Sequence, residues 1–302
     1  MEFDPPVLFT EFSANIEAIV ERNGNIGVYI PEQSPLFCYF TETADFYACL
    51  NFTEPSAAVV LDSDGNAYTS SSQTPRVDRW NLDGTTESQV QPSAIVGSLY
   101  VDGTNLLAVA PSPGQAVTRT PVALMGPIEP LLTPPAGVAP RALAADLLYY
   151  YVAFEPVNVG APGGMQVYSR SSQAPLSLFM LPDVKAMATR ADNIQTDVFL
   201  RSVSSESEAT TFRVLGGDPP IQVCDSAFGS VDRVRGLAVD ADAAYMMVNG
   251  PGVSFNLHRF SDAGGECQPI ASGIGTPGPI AAGQDAVFYA DGPKLYRVLK
   301  QN

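Results

Sequence analysis

The stretch Leu237-Ala238-Val239-Asp240, followed by a turn and then Ala244-Tyr245-Met246-Met247, decides the fold because it recurs. The same phrase opens at Ala18, Val59, Leu99, Leu143, Met187 and Ile280, so successive anchors lie 41, 40, 44, 44, 50 and 43 residues apart. Strand-rich units at such a period are radial repeats of small sheets. The expected fold is therefore an all-β, seven-bladed β-propeller of four-stranded antiparallel blades. The repeats run from one end of the sequence to the other, and residues 1–302 read as a single domain.

Within each unit the anchor and the residue two positions on are large and apolar, as in Val59 and Leu61, Leu99 and Val101, and Leu237 and Val239. The position between them is often small (Ala144, Ala188, Ala238, Ala281). An inner strand with apolar residues on both faces is expected to pack between neighbouring sheets. The chain then turns polar at Glu21, Asp62, Asp102, Asp146 and Asp240, and a second strand follows with aromatics such as Tyr68, Tyr151 and Tyr245. A third strand carries Arg at one register in five repeats: Arg79, Arg119, Arg213, Arg259 and Arg297. Asp83-Gly84, Gly216-Gly217 and Gly264-Gly265 mark hairpin turns after it. A fourth strand, for example Pro220-Ile221-Gln222-Val223, completes the blade.

The second unit, Val59-Val60-Leu61-Asp62-Ser63-Asp64-Gly65-Asn66-Ala67-Tyr68 with Asn81-Leu82-Asp83-Gly84, resembles an NHL repeat. The last, Asp285-Ala286-Val287-Phe288-Tyr289-Ala290-Asp291 with Lys294-Leu295-Tyr296-Arg297-Val298, is similar to YWTD-type repeats. The resemblance implies the propeller architecture. These families include recognition scaffolds, lactonase-like enzymes and a lyase, so the fold does not choose a chemistry.

A net charge of −16 repels phosphate backbones and anionic membranes, which argues against a nucleic-acid partner. No run of 18 apolar residues exists, so no membrane-spanning helix is expected. The 16 cations comprise 13 Arg and 3 Lys, a bias that points to high-GC, bacterial coding. No basic and then apolar leader opens the sequence, which leaves a cytoplasmic protein or one exported with a signal this chain lacks.

Four groups of residues invite a chemical reading. The acids Asp62, Asp102, Asp146 and Asp240, with Glu21, fall at one register and form a ring that could hold a divalent cation, or else each caps its own hairpin. Asp62-Ser63-Asp64-Gly65-Asn66 has alternating carboxylates but lacks the distal Glu of an EF-hand, so a turn is the expected reading. Arg141, Lys185 and Arg235 each stand two residues before an anchor on adjacent blades. They would flank one sector of the channel mouth and attract an anionic group, unless each pairs with a carboxylate of its own blade. His258 is the only histidine, at a third-strand register filled elsewhere by Asp78, Thr118, Phe212 and Tyr296. It reads as an ordinary blade position, which leaves His-based metal sites and Ser-His-Asp triads without their imidazole. Trp80 reads as packing rather than a sugar platform, and Asn51-Phe52-Thr53 is the sole glycosylation sequon.

The ends and the cysteines add two expectations. The last repeat offers strands at 279–283, 286–290 and 294–299 and then ends, so residues 6–12 are expected to pair beside 294–299 and close the ring. Cys38 and Cys49 lie on consecutive strands and are expected to form a disulfide across a two-residue turn at Thr43-Ala44, as a hydrogen-bonded pair with Cα atoms about 5.5 Å apart. Cys224 and Cys267, in neighbouring blades, are the remaining pair. An oxidised bond argues for a secreted or envelope location.

The reading reached from sequence is a non-enzymatic recognition or scaffold propeller that binds a protein or a small anionic or carbohydrate ligand at one face of the channel, with no required cofactor. The alternative is a metal-dependent hydrolase or lyase resembling the lactonase-like propellers, which needs Glu, Asp and Asn converging on a divalent cation. A third reading is a structural subunit of a surface assembly, marked by an apolar patch on a blade edge.

Overall fold

A computed structural model describes the chain apart from residues 1, 32–34, 44, 53, 82, 113, 125, 157–162, 182, 190–196, 206–207, 216–217, 225–235, 250–253, 262–266 and 302. Blade 1 comprises β3 (Ala18–Arg22), β4 (Asn25–Ile30), β5 (Leu36–Thr41) and β6 (Phe46–Asn51), preceded by β1 (Glu2–Phe3) and β2 (Val7–Glu11). Blade 2 is β7 (Ser56–Leu61), β8 (Ala67–Ser71), β9 (Val77–Trp80) and β10 (Thr86–Val90). Blade 3 is β11 (Ser98–Asp102), β12 (Asn105–Val109), β13 (Val117–Pro121) and β14 (Glu129–Leu132). Blade 4 is β15 (Val138–Ala145), β16 (Tyr149–Pro156), β17 (Gly164–Ser169) and β18 (Pro175–Met180). Blade 5 is β19 (Asp183–Thr189), β20 (Asp197–Ser205), β21 (Glu208–Leu215) and β22 (Ile221–Cys224). Blade 6 is β23 (Leu237–Val239), β24 (Ala243–Asn249), β25 (Phe255–Ser261) and β26 (Cys267–Ile274), and blade 7 holds β27 (Pro277–Ala282), β28 (Ala286–Asp291) and β29 (Lys294–Gln301).

Each blade is an antiparallel meander, and the seven innermost strands touch in the closed order β3, β7, β11, β15, β19, β23, β27 and back to β3. The ring is closed by the N-terminus. β2 pairs with β29 through Val7–Arg297, Leu8–Tyr296, Thr10–Leu295 and Glu11–Lys294, and β1 continues along the same strand at Lys300 and Gln301. Aromatic side chains secure the seam: Phe9 meets Phe40 of blade 1 and Phe288 of blade 7 edge-on, at 5.5 and 5.4 Å between centroids. Two of the recurrent third-strand arginines join it, Arg297 over Phe9 and Arg259 over Phe3.

The second strand of the blades is buried on both faces, as the innermost strand also is at Leu143, Ala144 and Ala145 of blade 4 and at Ile280, Ala281 and Ala282 of blade 7. Tyr68, Tyr151, Tyr245 and Phe288, all on second strands, are fully buried and pack into the clusters between blades. Ala238 and Ala281, small residues of the innermost strand, belong to these clusters and also line the channel. No helix among the described residues is long and apolar enough to cross a membrane.

The Cys38–Cys49 disulfide is present, with a register that differs from the expected one. Cys38 stands opposite Cys49 and Tyr39 opposite Ala48, but Phe40 then faces Phe46 across a bulge, and Thr41 N–H donates to Asp45 O. The loop thus holds three residues, 42–44, of which Ala44 lies outside the described residues. The Cα atoms are 4.1 Å apart, close to the spacing of a non-hydrogen-bonded pair rather than about 5.5 Å. Cys267 is also disulfide-bonded. The side chain of Cys224, its expected partner, lies outside the described residues.

Candidate functional site

The turns that join first to second strands gather at one end of the channel, where a cavity of about 970 Å³ opens. Blades 1, 6 and 7 frame it with Glu21, Arg22, Glu42, Asp240, Asp242 and Asp285. Tyr100, from blade 3, reaches its far wall. The Tyr100 hydroxyl donates to Ala145 O at 2.7 Å and lies 3.2 Å from Thr189 Oγ1, so one side chain ties blades 3, 4 and 5 across the channel.

The acidic register explains itself locally. Asp146 Oδ1 accepts from the N–H groups of Leu148 and Tyr149, and its Oδ2 accepts from the Tyr151 hydroxyl at 2.6 Å. Asp240 repeats this with Asp242, Ala243 and Tyr245. Asp62 does so with Asp64, Asn66 and Tyr68, and Gly65 supplies the positive φ its longer turn requires. Each carboxylate therefore neutralises turn amides and one buried phenol. The phenols of Tyr68 and Tyr245 are held well above the usual tyrosine range by burial first and then by the aspartate beside each. In blade 3, Leu107 stands where blades 2, 4 and 6 place the tyrosine that donates to the aspartate. Asp102 accepts Arg170 Nη2 on both oxygens at 2.8 Å and the hydroxyl of Tyr150 at 3.3 Å, both from blade 4.

A second register, not singled out from sequence, sits at the C-terminal end of the third strand or just past it. In blades 1, 3, 4 and 7 it is Glu42, Val122, Arg170 and Lys300, whose N–H groups donate to the residue preceding the second strand. Arg170 spans two blades, donating to Asp146 O of its own and to Asp102 of blade 3. Lys300 does the same in blade 7: it donates to Gly283 O and, at 2.6 Å, to Asp240 Oδ2 of blade 6. Burial pushes the Asp240 carboxyl up, but Lys300 and the turn donors outweigh it and hold the group below the usual range. Glu42 reverses the polarity. Blade 7 has Gly283 where blades 2, 3, 4 and 6 have Asp, and the Glu42 carboxylate crosses from blade 1 to accept the N–H groups of Gln284 and Asp285, each at 3.1 Å. A signal for this register existed in the sequence as scattered charges, but its partners lie on another blade.

The aspartates do not come together as a metal site. Among the described residues, no three His, Cys, Asp or Glu side chains are placed to hold a metal ion. Of the cationic trio, Arg141 lies at a β-bulge in β15 and is bridged to Glu155 of the paired strand at 2.5 Å. Lys185 also sits at a bulge, in β19, with its side chain outside the described residues, and Arg235 lies outside them altogether. His258 is half-buried in β25 opposite Pro269, and burial lowers its pKa. Trp80 packs on Phe52 at 4.9 Å and donates to Thr69 Oγ1 at 2.9 Å, so it serves the core.

No protein-family model matches the chain, and no curated protein sequence matches it. Solved structures do. The chain is similar to a hydrazine synthase chain of Kuenenia stuttgartiensis at a TM-score of 0.73, with 9% identity over 96% of this chain and 97% of that one. It is similar to the β-propeller domain of Cps50 (Swd1) from Myceliophteria thermophila at 0.70, with 10% identity over 97% and 98%. It is similar to U3-55K at 0.68, with 10% identity over 98% of each chain. At such identities the likeness establishes the seven-bladed propeller fold and nothing about activity.

Proposed function

We propose that this protein is a recognition or scaffold propeller whose ligand seat is the channel mouth framed by blades 6, 7 and 1. The observation that carries the reading is the cavity of about 970 Å³ at that mouth, open on the side of the turns and crossed by Tyr100. Its lining carries Glu21, Glu42, Asp240, Asp242 and Asp285 against Arg22, which suits a partner presenting a cation or several donors, such as a basic protein loop. The bridge from Arg141 to Glu155 weighs against the anion-binding sector suggested by Arg141, Lys185 and Arg235. The commitment of Asp62, Asp146 and Asp240 to turn amides and tyrosines weighs against the hydrolase alternative. The disulfide supports a location in an oxidising compartment.

Calorimetric titration with an arginine-rich peptide tests the reading. Binding should weaken steeply with salt and fall at least about threefold when the exposed carboxylates are neutralised as Asp242→Asn and Asp285→Asn. Identical affinity for the double variant would place the ligand elsewhere.

A second reading, a subunit of a larger assembly, is favoured by blade 4. Its outer strand β18 exposes Leu176, Leu178 and Met180 at alternate positions, 53, 49 and 55% accessible, on an uncharged edge. Light scattering of the protein and of Leu178→Lys would distinguish the two readings: a mass above one chain that the variant abolishes favours assembly.

A further inference from the structure

Blade 1 carries two features that meet in one hairpin. The β5–β6 turn bears Glu42, whose 9% exposed carboxylate supplies blade 7 with the turn acceptor that Gly283 cannot. A Cβ at residue 283 would fall on that carboxylate, so the space is fitted to a group from blade 1. Glu42 is further held by its backbone: its N–H donates to Gly24 O, and its carbonyl accepts from Arg297 Nη1 of blade 7 at 2.6 Å. The same hairpin is stapled by Cys38–Cys49, four residues before Glu42 and seven after it. Cys38 is 1% exposed on an interior strand, whereas Cys49 is exposed on the outer strand β6.

We propose that the Cys38–Cys49 disulfide is a redox-sensitive clasp on the blade 7–blade 1 junction, acting through Glu42. With the bond closed, β6 is fixed to β5 and the bulged turn presents the Glu42 carboxylate to Gln284 and Asp285. A small dithiol that reaches the exposed Cys49 side breaks the Sγ–Sγ bond. It gives up two electrons and two protons, leaves two thiols and closes to its own disulfide. β6 is then an outer strand held by its ladder, by buried Leu50 and by the Phe46–Phe40 ring contact, with a bulge between Tyr39 and Phe40 that weakens the ladder next to the turn. The turn loosens, and the two amides of blade 7 lose their acceptor. Thr41, Glu42 and Thr43 also line the channel-mouth cavity, so the clasp alters that wall whatever the cavity binds. Lys300, near the end of β29, and Arg170, just past β17, hold their junctions without a disulfide, so the response is local to one junction.

Amide hydrogen exchange tests this. In the Cys38→Ala/Cys49→Ala protein, exchange at Gln284 and Asp285 should rise about tenfold, while Leu148 and Tyr149, capped within blade 4, stay unchanged. Glu42→Ala should raise the same two amides with the disulfide intact, and breaking the bond in that background should add nothing further. If the double variant fails to fold, the wild type is treated with a dithiol and alkylation at Cys49 is followed by mass spectrometry. Unchanged rates at Gln284 and Asp285 once the bond is open would overturn the proposal, as would an equal rise at Leu148 and Tyr149.

Discussion

Lys300 Nζ lies 2.6 Å from Asp240 Oδ2 across the junction of blades 7 and 6, with both side chains under 10% exposed. The same ammonium donates to Gly283 O and Gln284 O and sits 5.7 Å from the Tyr245 ring, so its charge is fully surrounded. Asp240→Asn strands that ammonium and should destabilise the protein by about 3–5 kcal/mol. Lys300→Met leaves Asp240 with its turn amides and Tyr245, and should be milder. In chemical denaturation, the double variant should lose clearly less than the sum of the singles. Additive losses would mean the pair is not coupled.

Tyr151 and Tyr245 form a second class of aspartate contact, each donating to its own blade's carboxylate at 2.6 Å. Removing the hydroxyl as Tyr151→Phe keeps the buried ring but leaves Asp146 one charged-group hydrogen bond short. The expected loss is about 1.5–3 kcal/mol, read from the urea midpoint at unchanged slope. The corresponding positions in blades 1, 3 and 7 are Val28, Leu107 and Phe288, where no such partner is needed. A loss below about 0.5 kcal/mol for both Tyr→Phe variants would show that the aspartates act through the turn amides alone.

What could be read from sequence follows the range of each interaction. The blade phrase at Leu237, the Asp turns and the closing strand at residues 6–12 are local or terminal features, and all lie where the sequence places them. The recurrent Arg was visible too, though it serves different ends, pairing with Glu129 in blade 3 and covering Phe9 in the closing blade. The bulge at Arg141 and the bulge beside Cys49 were not legible, because one extra residue in a ladder leaves no periodic trace. The Glu42–Gly283 contact was hidden for another reason. Its two halves are about 240 residues apart, and each looks like an irregularity until the ring closes.

Gly27 in β4 is fixed by packing rather than by backbone conformation. A Cβ there would meet the Phe37 ring and Val20 Cγ2, at 2.9 Å from the latter. Phe37 stacks on Phe52, and Phe52 meets Trp80 at a tilt, so the strain would travel from blade 1 into blade 2. Gly27→Ala should cost about 1–3 kcal/mol. Because Trp80 is the only tryptophan, its emission reports the same event as a red shift in the folded baseline. An unchanged spectrum and midpoint would show that the aromatic stack absorbs a methyl group freely.

Glu21 makes stability depend on pH in an unusual direction. Burial in the channel wall is the main cause that lifts its carboxyl from 4.5 to about 6; the Gly24 N–H opposes the shift, Glu42 adds to it, and Arg22 and Lys300 oppose it more weakly. The folded protein therefore takes up this proton more readily than the unfolded chain. Glu21's contribution to stability is full below pH 4.5 and is lost as pH rises through about 6. For the wild type, the urea midpoint should fall between pH 5 and pH 7 by more than in Glu21→Gln, whose amide has no proton to lose. At pH 7.5 Glu21→Gln should be the more stable protein, by roughly 2–4 °C in Tm for each kcal/mol recovered. Other carboxylates shape both profiles alike in a chain of charge −16, so the difference between the two proteins isolates residue 21. Parallel profiles across that window would show that Glu21 titrates as an ordinary surface acid.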